Sequence, residues 1–286
     1  MTRDPVRSPG GAAATAPWVV IDAGRARPLV DPAELWRYRD LLYFLTRRDV
    51  AVRYKQTALG ILWAVIQPAA SMAVFTVFLG RLAGVPSDGV PYPVFAYLGL
   101  LPWTYFAGAV GRGAGSLVGN AHLLTRVYFP RILVPLSATV AALVDFALAL
   151  GLLGGLLAWY RLPPAASALL LAPLTLIMAA AAAGVGMWLG ALNARYRDVQ
   201  HAVPFLMQLW MFATPVVYPA SIVPERWRPL LALNPMCGLI EAWRTAVLGR
   251  PIDWASLGIS TASALGLAAL GLWQFQRMQR TFADVV

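Results

Sequence analysis

Long apolar runs separated by short polar connections set the pattern of the chain. A helix needs roughly 20 apolar residues to cross the hydrocarbon core of a bilayer. Six runs meet or approach that length: Leu59–Leu79, Val94–Val118, Ile132–Tyr160, Ala168–Leu192, Val203–Val217 and Trp254–Trp273. The fifth is short and bracketed by prolines, so we expect it to be broken or partly interfacial. The pattern predicts an all-α integral membrane protein with about six transmembrane helices.

A different pattern precedes the first run. Asp31 can cap a helix, Pro32 suits the first helical position, and Glu34 completes a capping box. Apolar positions then recur at helical spacing among charged residues, at Leu35, Tyr38, Leu42 and Leu45. A helix of this kind lies in the membrane interface instead of crossing the bilayer. Residues 31–58 are therefore predicted to form an N-terminal amphipathic interface helix and the approach to the first span.

The segment between the fifth and sixth runs, residues 218–253, combines apolar side chains with five prolines. Two short helices are predicted there, around Glu225–Leu233 and Pro235–Leu248, and neither is long enough to span. Short helices beside a short span are typical of a re-entrant hairpin, which needs protein or a water-filled cavity to receive it. We expect residues 218–253 to form an outer gate before the last span; a plain surface loop is the alternative.

Charge distribution predicts the orientation. The net charge is +10, yet only 13% of the residues are charged, where a soluble domain has about 25%. Basic residues fall between the apolar runs, which favours anionic lipid or an anionic substrate over nucleic acid as partner. With the N-terminus inside, seventeen basic residues lie in inner segments and six in outer ones. We therefore expect a disordered cytoplasmic tail at 1–30, a transmembrane domain at 59–280 and a second cytoplasmic tail at 281–286.

Residues that carry enzymatic chemistry are scarce. The run Gly111–Gly115 lacks the Gly-Lys-Ser/Thr ending of a phosphate loop, and Gly111, Gly115 and Gly119 are instead predicted to be a helix-packing face. No metal site is predicted, because no set of acidic ligands accompanies His122 and His201, and Cys237 is the only cysteine. Asp145, deep in the third run, is expected to make a hydrogen-bonded helix contact; a proton relay is the alternative.

Six motifs, in order, give the chain a resemblance to a known family. They are Arg48–Gly60 with Trp63 and Gln67-Pro68, Gly99–Trp103, Val127–Arg131, Tyr196–Val199, Thr214–Pro219, and Leu233–Met236 with Glu241–Arg244. Over residues 31–280 the sequence resembles the permeases of ABC-type polysaccharide exporters, the type-2 ABC permeases that move O-antigen, capsule or teichoic-acid chains. A secondary transporter and a membrane-embedded enzyme acting on a polyprenyl-linked lipid are the alternatives from other classes.

The resemblance implies an assembly. It implies a homodimer in the cytoplasmic (inner) membrane, with two copies of a separate ABC ATPase subunit on the cytoplasmic face. ATP and Mg would be bound by that partner, and no cofactor by this chain. The substrate would be a lipid-linked polysaccharide, and membrane lipid would be the remaining partner.

The resemblance and the residue pattern together nominate four sets of site residues. A coupling helix at 120–128, within the cytoplasmic loop 119–131, would contact the ATPase through Asn120, Ala121, His122, Leu124 and Arg126. The phosphate-bearing head group would meet Arg48, Arg53 and Lys55, although such charges can also serve only to fix orientation. The outer gate would use Asn234, Pro235, Glu241 and Arg244. Rings that line the conduit, or merely anchor the protein in the interface, would be Trp103, Tyr105, Phe106 and Phe212.

Overall fold

The computed structural model describes residues 32–55, 59–126 and 129–279. Within these ranges the regular structure is helical, as predicted. The helices are α1 (Pro32–Arg37), α2 (Arg39–Tyr54), α3 (Trp63–Phe75), α4 (Tyr92–Gly119), α5 (Ala121–Arg126), α6 (Leu133–Trp159), α7 (Leu171–Arg195), α8 (Val199–Phe212), α9 (Arg228–Ala232), α10 (Pro235–Leu248) and α11 (Trp254–Met278). The two predicted tails lie outside the described residues.

Five helical segments of the described chain have the length and apolar character to cross a membrane. They are Gly60–Leu82, Tyr92–Gly119, Leu133–Trp159, Ala166–Arg195 and Trp254–Met278. The remaining predicted span is α8, which has only 14 residues. At 1.5 Å per residue it reaches about 21 Å, well short of the roughly 30 Å hydrocarbon core. The chain is thus a multi-pass membrane protein in which the fifth apolar run forms a short helix that ends before Pro215 and contains Pro204.

The order of the helices gives the bundle two ends. We call the end with α2, α5 and the last turns of α4, α7 and α11 the α2 end, and the opposite end, where α11 begins after α10, the α10 end. Leu45 of α2 is buried at the α2 end against Leu117, Leu133 and Phe275. On α1 and α2 the rings of Trp36, Tyr43 and Phe44 are exposed. A helix that buries one face in the bundle and exposes aromatic rings on another fits the membrane interface.

α4 is the central helix, with contacts to α6, α7, α8 and α10. It approaches α7 closely because Gly113 faces Gly186: a Cβ on Gly113 would lie 3.0 Å from the Gly186 Cα. Glycine also permits the contact between α7 and α11, where a Cβ on Gly184 would overlap the backbone of Ala268. Backbones come this near only where side chains are absent.

The predicted packing face of Gly111, Gly115 and Gly119 is wrong. A Cβ on any of the three would meet nothing within 4 Å among the described residues. Gly113 follows Gly111 by two residues, which is about 200° around a helix, so the two glycines lie on opposite faces. The packed face of α4 is therefore the one with Gly113, and the glycine row at every fourth position is open.

Candidate functional sites

A cluster of charged side chains lies where α2 packs along α6, beside α4. The Asp145 carboxylate forms an ion pair with Arg53 and accepts a hydrogen bond from the Tyr54 hydroxyl. The Arg112 guanidinium approaches the same carboxylate, with 3.6 Å between Nη1 and Oδ2. Two guanidinium groups share one carboxylate, so these side chains together carry a net positive charge among apolar helices. We call Arg53, Tyr54, Arg112 and Asp145, which are all partly exposed, the arginine–aspartate cluster.

The contact expected for Asp145 is confirmed, and its partners explain why a carboxylate is tolerated within a span. Ionised groups in a bilayer face the protein and pair with one another. Tyr54 acts as the neutral donor, because burial and the neighbouring Asp145 raise the pKa of its hydroxyl. α2 is consequently fixed to α6 by an ion pair and a hydrogen bond at its last turn.

The three predicted head-group residues do not form one group. Arg53 belongs to the arginine–aspartate cluster, whereas Arg48 pairs with Asp49 at 2.8 Å and donates to the Asn120 Oδ1 at 2.6 Å. Asp49 in turn accepts from Ser137 of α6 at 3.1 Å. Lys55, after the end of α2, is exposed. The prediction missed Arg112, although an arginine within the second apolar run, Val94–Val118, was itself a signal.

The segment predicted to couple to a partner begins with a short helix. Asn120 ends α4, and its Nδ2 donates to the Ser116 carbonyl at 2.8 Å. In α5 the side chains of His122 and Arg126 are exposed. Leu124 packs against the buried cluster at the α2 end, so it holds the helix in place and is not on its outer face. Ala121 is partly buried, and residues 127 and 128 of the predicted coupling helix lie outside the described residues.

Three of the four predicted conduit rings are packed inside the bundle. Trp103, Tyr105 and Phe106 are 3%, 3% and 0% exposed. Phe106 meets Trp210 of α8 with ring centroids 5.2 Å apart, and Tyr105 meets Phe146 of α6 at the same distance. These rings therefore hold α4 to its neighbours within this chain, and the lining of a conduit in the dimer stays a prediction.

The fourth predicted ring differs from the other three. Phe212, the last residue of α8, is 54% exposed. Of the four, it alone is placed where a ring could meet a passing ligand.

The two short helices predicted at the α10 end are present as α9 and α10. Asn234 caps α10 by accepting from the Met236 amide at 3.1 Å, and Pro235 occupies the first turn. The side-chain amide of Asn234 also binds the end of α8. Its Oδ1 accepts from the Trp210 indole at 3.0 Å, and its Nδ2 donates to the Thr214 hydroxyl at 2.9 Å. Asn234 thus fixes the start of α10 to the end of α8.

Arg244 completes the attachment from the middle of α10. Its side chain pairs with Glu241 at 3.0 Å and donates to the Val216 and Pro215 carbonyls at 2.9 and 3.3 Å. The guanidinium also lies 3.8 Å from the centre of the Phe95 ring of α4. The chain after α8 is not helical, so these carbonyls have no helical partners. A buried arginine supplies the missing donors.

Cys237 lies on α10 within this attachment. It is 3% exposed, and burial raises the pKa of its thiol to about 12. The only thiol of the chain is therefore protonated and shielded in the folded protein, so it does not report the orientation of the chain to an added reagent.

The described residues thus form a multi-pass helical bundle with a short exposed helix at one end and paired short helices at the other. Residues 40–248 match the family described as ABC-2 type transporter. The match runs from α2 through α10 and covers more than half of the chain, and the protein belongs to this family. Membership makes the chain a transporter subunit, and the membrane-enzyme alternative is set aside.

Three relatives, each named as an export permease or a transport protein, are similar to the chain over most of their length. The chain is 37% identical over 214 residues to an O-antigen export system permease protein RfbA of Myxococcus xanthus, covering 74% of this chain and 81% of the relative. It is 28% identical over 249 residues to an RfbA of Klebsiella pneumoniae, covering 86% and 95%. The polysialic acid transport protein KpsM of Escherichia coli is 24% identical over 207 residues, covering 70% and 78%.

Proposed function

We propose that the chain is the membrane-spanning subunit of an ABC exporter for a lipid-linked polysaccharide. The observation that carries this proposal is the similarity to O-antigen export permeases over nearly their whole length. The 37% identical relative exports O-antigen by its name, and the polysialic acid transporter is more distant. An O-antigen-type chain is accordingly the favoured substrate.

The working unit is a homodimer with two copies of a separate ATPase, which binds ATP and Mg, in the cytoplasmic membrane. The α2 end faces the cytoplasm and the ATPase. The exposed side chains of α5, His122 and Arg126, support a docking role for that helix, and Leu124 anchors it to the bundle. Because α5 follows α4 directly, a movement of the ATPase would be passed to the central helix of the bundle.

Export ends at the α10 end, where the gate residues act as a hinge between α8 and α10. Asn234 and Arg244 hold the non-helical chain after α8, and Phe212 is exposed beside it. A polysaccharide needs contacts that are weak enough to release each sugar. The open ring of Phe212 can rest on a sugar face while the hydroxyl groups stay hydrated.

The test is genetic complementation with the permease and its adjacent ATPase expressed together in a strain that lacks its own O-antigen exporter. We expect lipid-linked glycan to leave the cytoplasmic face only when both subunits are present and the ATPase retains its Walker lysine. Phe212→Ala should then slow export, while Phe205→Ala, an equally exposed ring on α8, serves as the matched control. Export that continues without the ATPase would contradict the proposal.

A further inference from the structure

The exposed face of α4 is lined by glycine around one arginine. Thr104, Gly111 and Gly115 are exposed on a helix that is otherwise largely buried, and helical spacing places them on one side with Gly108. The Arg112 guanidinium folds back over Gly108, where a Cβ would lie 3.3 Å from its Nη2. Nothing lies within 4 Å of the Cβ positions of Gly111 and Gly115 among the described residues. Open space therefore adjoins the guanidinium.

Two buried donors face this region without an acceptor. The Arg112 Nε and the Tyr105 hydroxyl are shielded from solvent and have no hydrogen-bond partner among the described residues. Tyr105 itself is 3% exposed and precedes Arg112 by seven residues, which places both on the same side of α4. A buried donor without an acceptor costs free energy. Two such donors on one side of α4 therefore predict a ligand that accepts hydrogen bonds.

The charge balance specifies the ligand further. Arg53 and Arg112 share the single carboxylate of Asp145, and the Arg112 contact is the looser one at 3.6 Å. Arg112 lies seven residues before the end of α4, about 10 Å from the α2 end at 1.5 Å per residue. Exposed Lys55 stands at the adjoining end of α2. A second anion of high charge, able to take several donors from planar guanidinium groups, fits this arrangement, and a phosphate has that chemistry.

We propose that Arg112 and Arg53 form the binding site for the phosphate groups of a lipid head group, and that Asp145 is the counter-ion that holds both arginines while the site is empty. The ligand displaces the carboxylate from Arg112 and takes the donors of Arg112 and Tyr105. This inference rests on the proposed function, since it assigns the head-group site of the lipid-linked substrate. It shifts that site from the surface of α2 to the cluster in which Arg53 of α2 and Arg112 of α4 meet Asp145 of α6.

The experiment measures binding of undecaprenyl diphosphate to the permease–ATPase complex in nanodiscs. Arg112→Gln should weaken binding about tenfold or more, since a bond from a charged donor is lost. Asp145→Asn should strengthen binding, because the competing carboxylate is neutralised while its hydrogen bond from Tyr54 is kept. Arg277→Gln, which removes an exposed arginine at the same end of the bundle, should bind within about twofold of the wild type.

The opposite signs of the two variants separate a binding site from a structural contact. If Asp145→Asn weakens binding as Arg112→Gln does, or if Arg112→Gln binds normally, the proposal is overturned. Arg112→Lys, which keeps the charge but loses the fork, guards against misfolding and should bind with intermediate affinity. Continued shielding of Cys237 from maleimide reports an intact fold.

The source of the phosphate is tested with undecaprenol, phosphatidylglycerol and inorganic pyrophosphate as competing probes. Undecaprenol should bind equally to the wild type and to Arg112→Gln. Phosphatidylglycerol or pyrophosphate that reproduced the full dependence on the variants would assign the site to ordinary lipid or to a free anion and overturn the substrate assignment. Export in the complementation strain is scored separately, so a failed head-group site is distinguishable from a failed exporter.

Discussion

Replacing Arg244 tests how the chain after α8 is stabilised. Arg244→Ala removes two hydrogen bonds to the Pro215 and Val216 carbonyls and the ion pair with Glu241. Hydrogen bonds from a charged group contribute about 1.5–3 kcal/mol each, and breaking a buried pair costs about 3–5 kcal/mol. The side chain of Glu241 is 30% exposed, so water compensates part of its loss. We expect the free energy of unfolding to fall by about 3–4 kcal/mol.

The single buried cysteine supplies the assay. A maleimide dye that fluoresces on reaction reports the temperature at which Cys237 becomes accessible in detergent. For a chain of this size, the expected fall in the free energy of unfolding lowers the Tm by roughly 6–12 °C, at about 2–3 °C per kcal/mol. Because Cys237 lies on α10 with Arg244, far-ultraviolet circular dichroism should follow the same transition and show that it is global.

Matched variants test whether the lost hydrogen bonds to the carbonyls cause the lower stability. Arg226→Ala, at an exposed arginine of the same segment between α8 and α11, should change stability by less than about 0.5 kcal/mol. Glu241→Gln should cost less than Arg244→Ala, because the Pro215 and Val216 carbonyls keep their donor. If Arg244→Ala is no less stable than Arg226→Ala, the carbonyls are satisfied in another way and our account of the attachment is wrong.

Three further predictions concern other parts of the chain. Cysteines at His122 and Arg126 should cross-link to the ATPase when each is tested alone in a background with Cys237 changed to Ser, and transport that survives replacement of α5 by a flexible linker would contradict the coupling role. Gly184→Ala should destabilise the bundle by about 1–3 kcal/mol in a thermal-shift measurement, because its Cβ overlaps the backbone of α11, whereas Gly111→Ala should be neutral or stabilising. Native Cys237 should stay unlabelled by maleimide from either face of the membrane and react fully after denaturation; rapid labelling of folded protein would disprove its burial.

Hydropathy sufficed for the architecture, since the bilayer imposes one length on every spanning helix. The fifth run was correctly expected to be short, but only Pro215 lies beyond an end of α8, and Pro204 stands inside the helix. The amphipathic pattern likewise located α2, but not the depth at which its last turn pairs with Asp145. That pairing joins residues more than ninety positions apart, and periodicity carries no information about such distances.

The predictions that differ from the structure share one cause, which is that periodicity does not show which distant residues meet. The spacing of Gly111, Gly115 and Gly119 defines one face of a helix but does not say what that face meets, and here Gly113 meets the neighbour. Ring content suggested a conduit at Trp103 and Phe106, whereas α8 covers both rings. Faces become inner or outer only when helices pack, so sequence patterns alone could not assign them.

The attachment of α8 to α10 has a consequence for biosynthesis. α8, the fifth apolar run, stops short of a full crossing, and the Ala213, Pro215 and Val216 carbonyls that follow it accept hydrogen bonds from Asn234 and Arg244. Arg244 leaves the ribosome 32 residues after Phe212. While those residues are being translated, the end of α8 lacks the donors that make it stable in lipid. α8 and α10 must therefore be integrated as one unit, and a nascent chain arrested before Arg244 should expose this end to the quality-control proteases of the membrane.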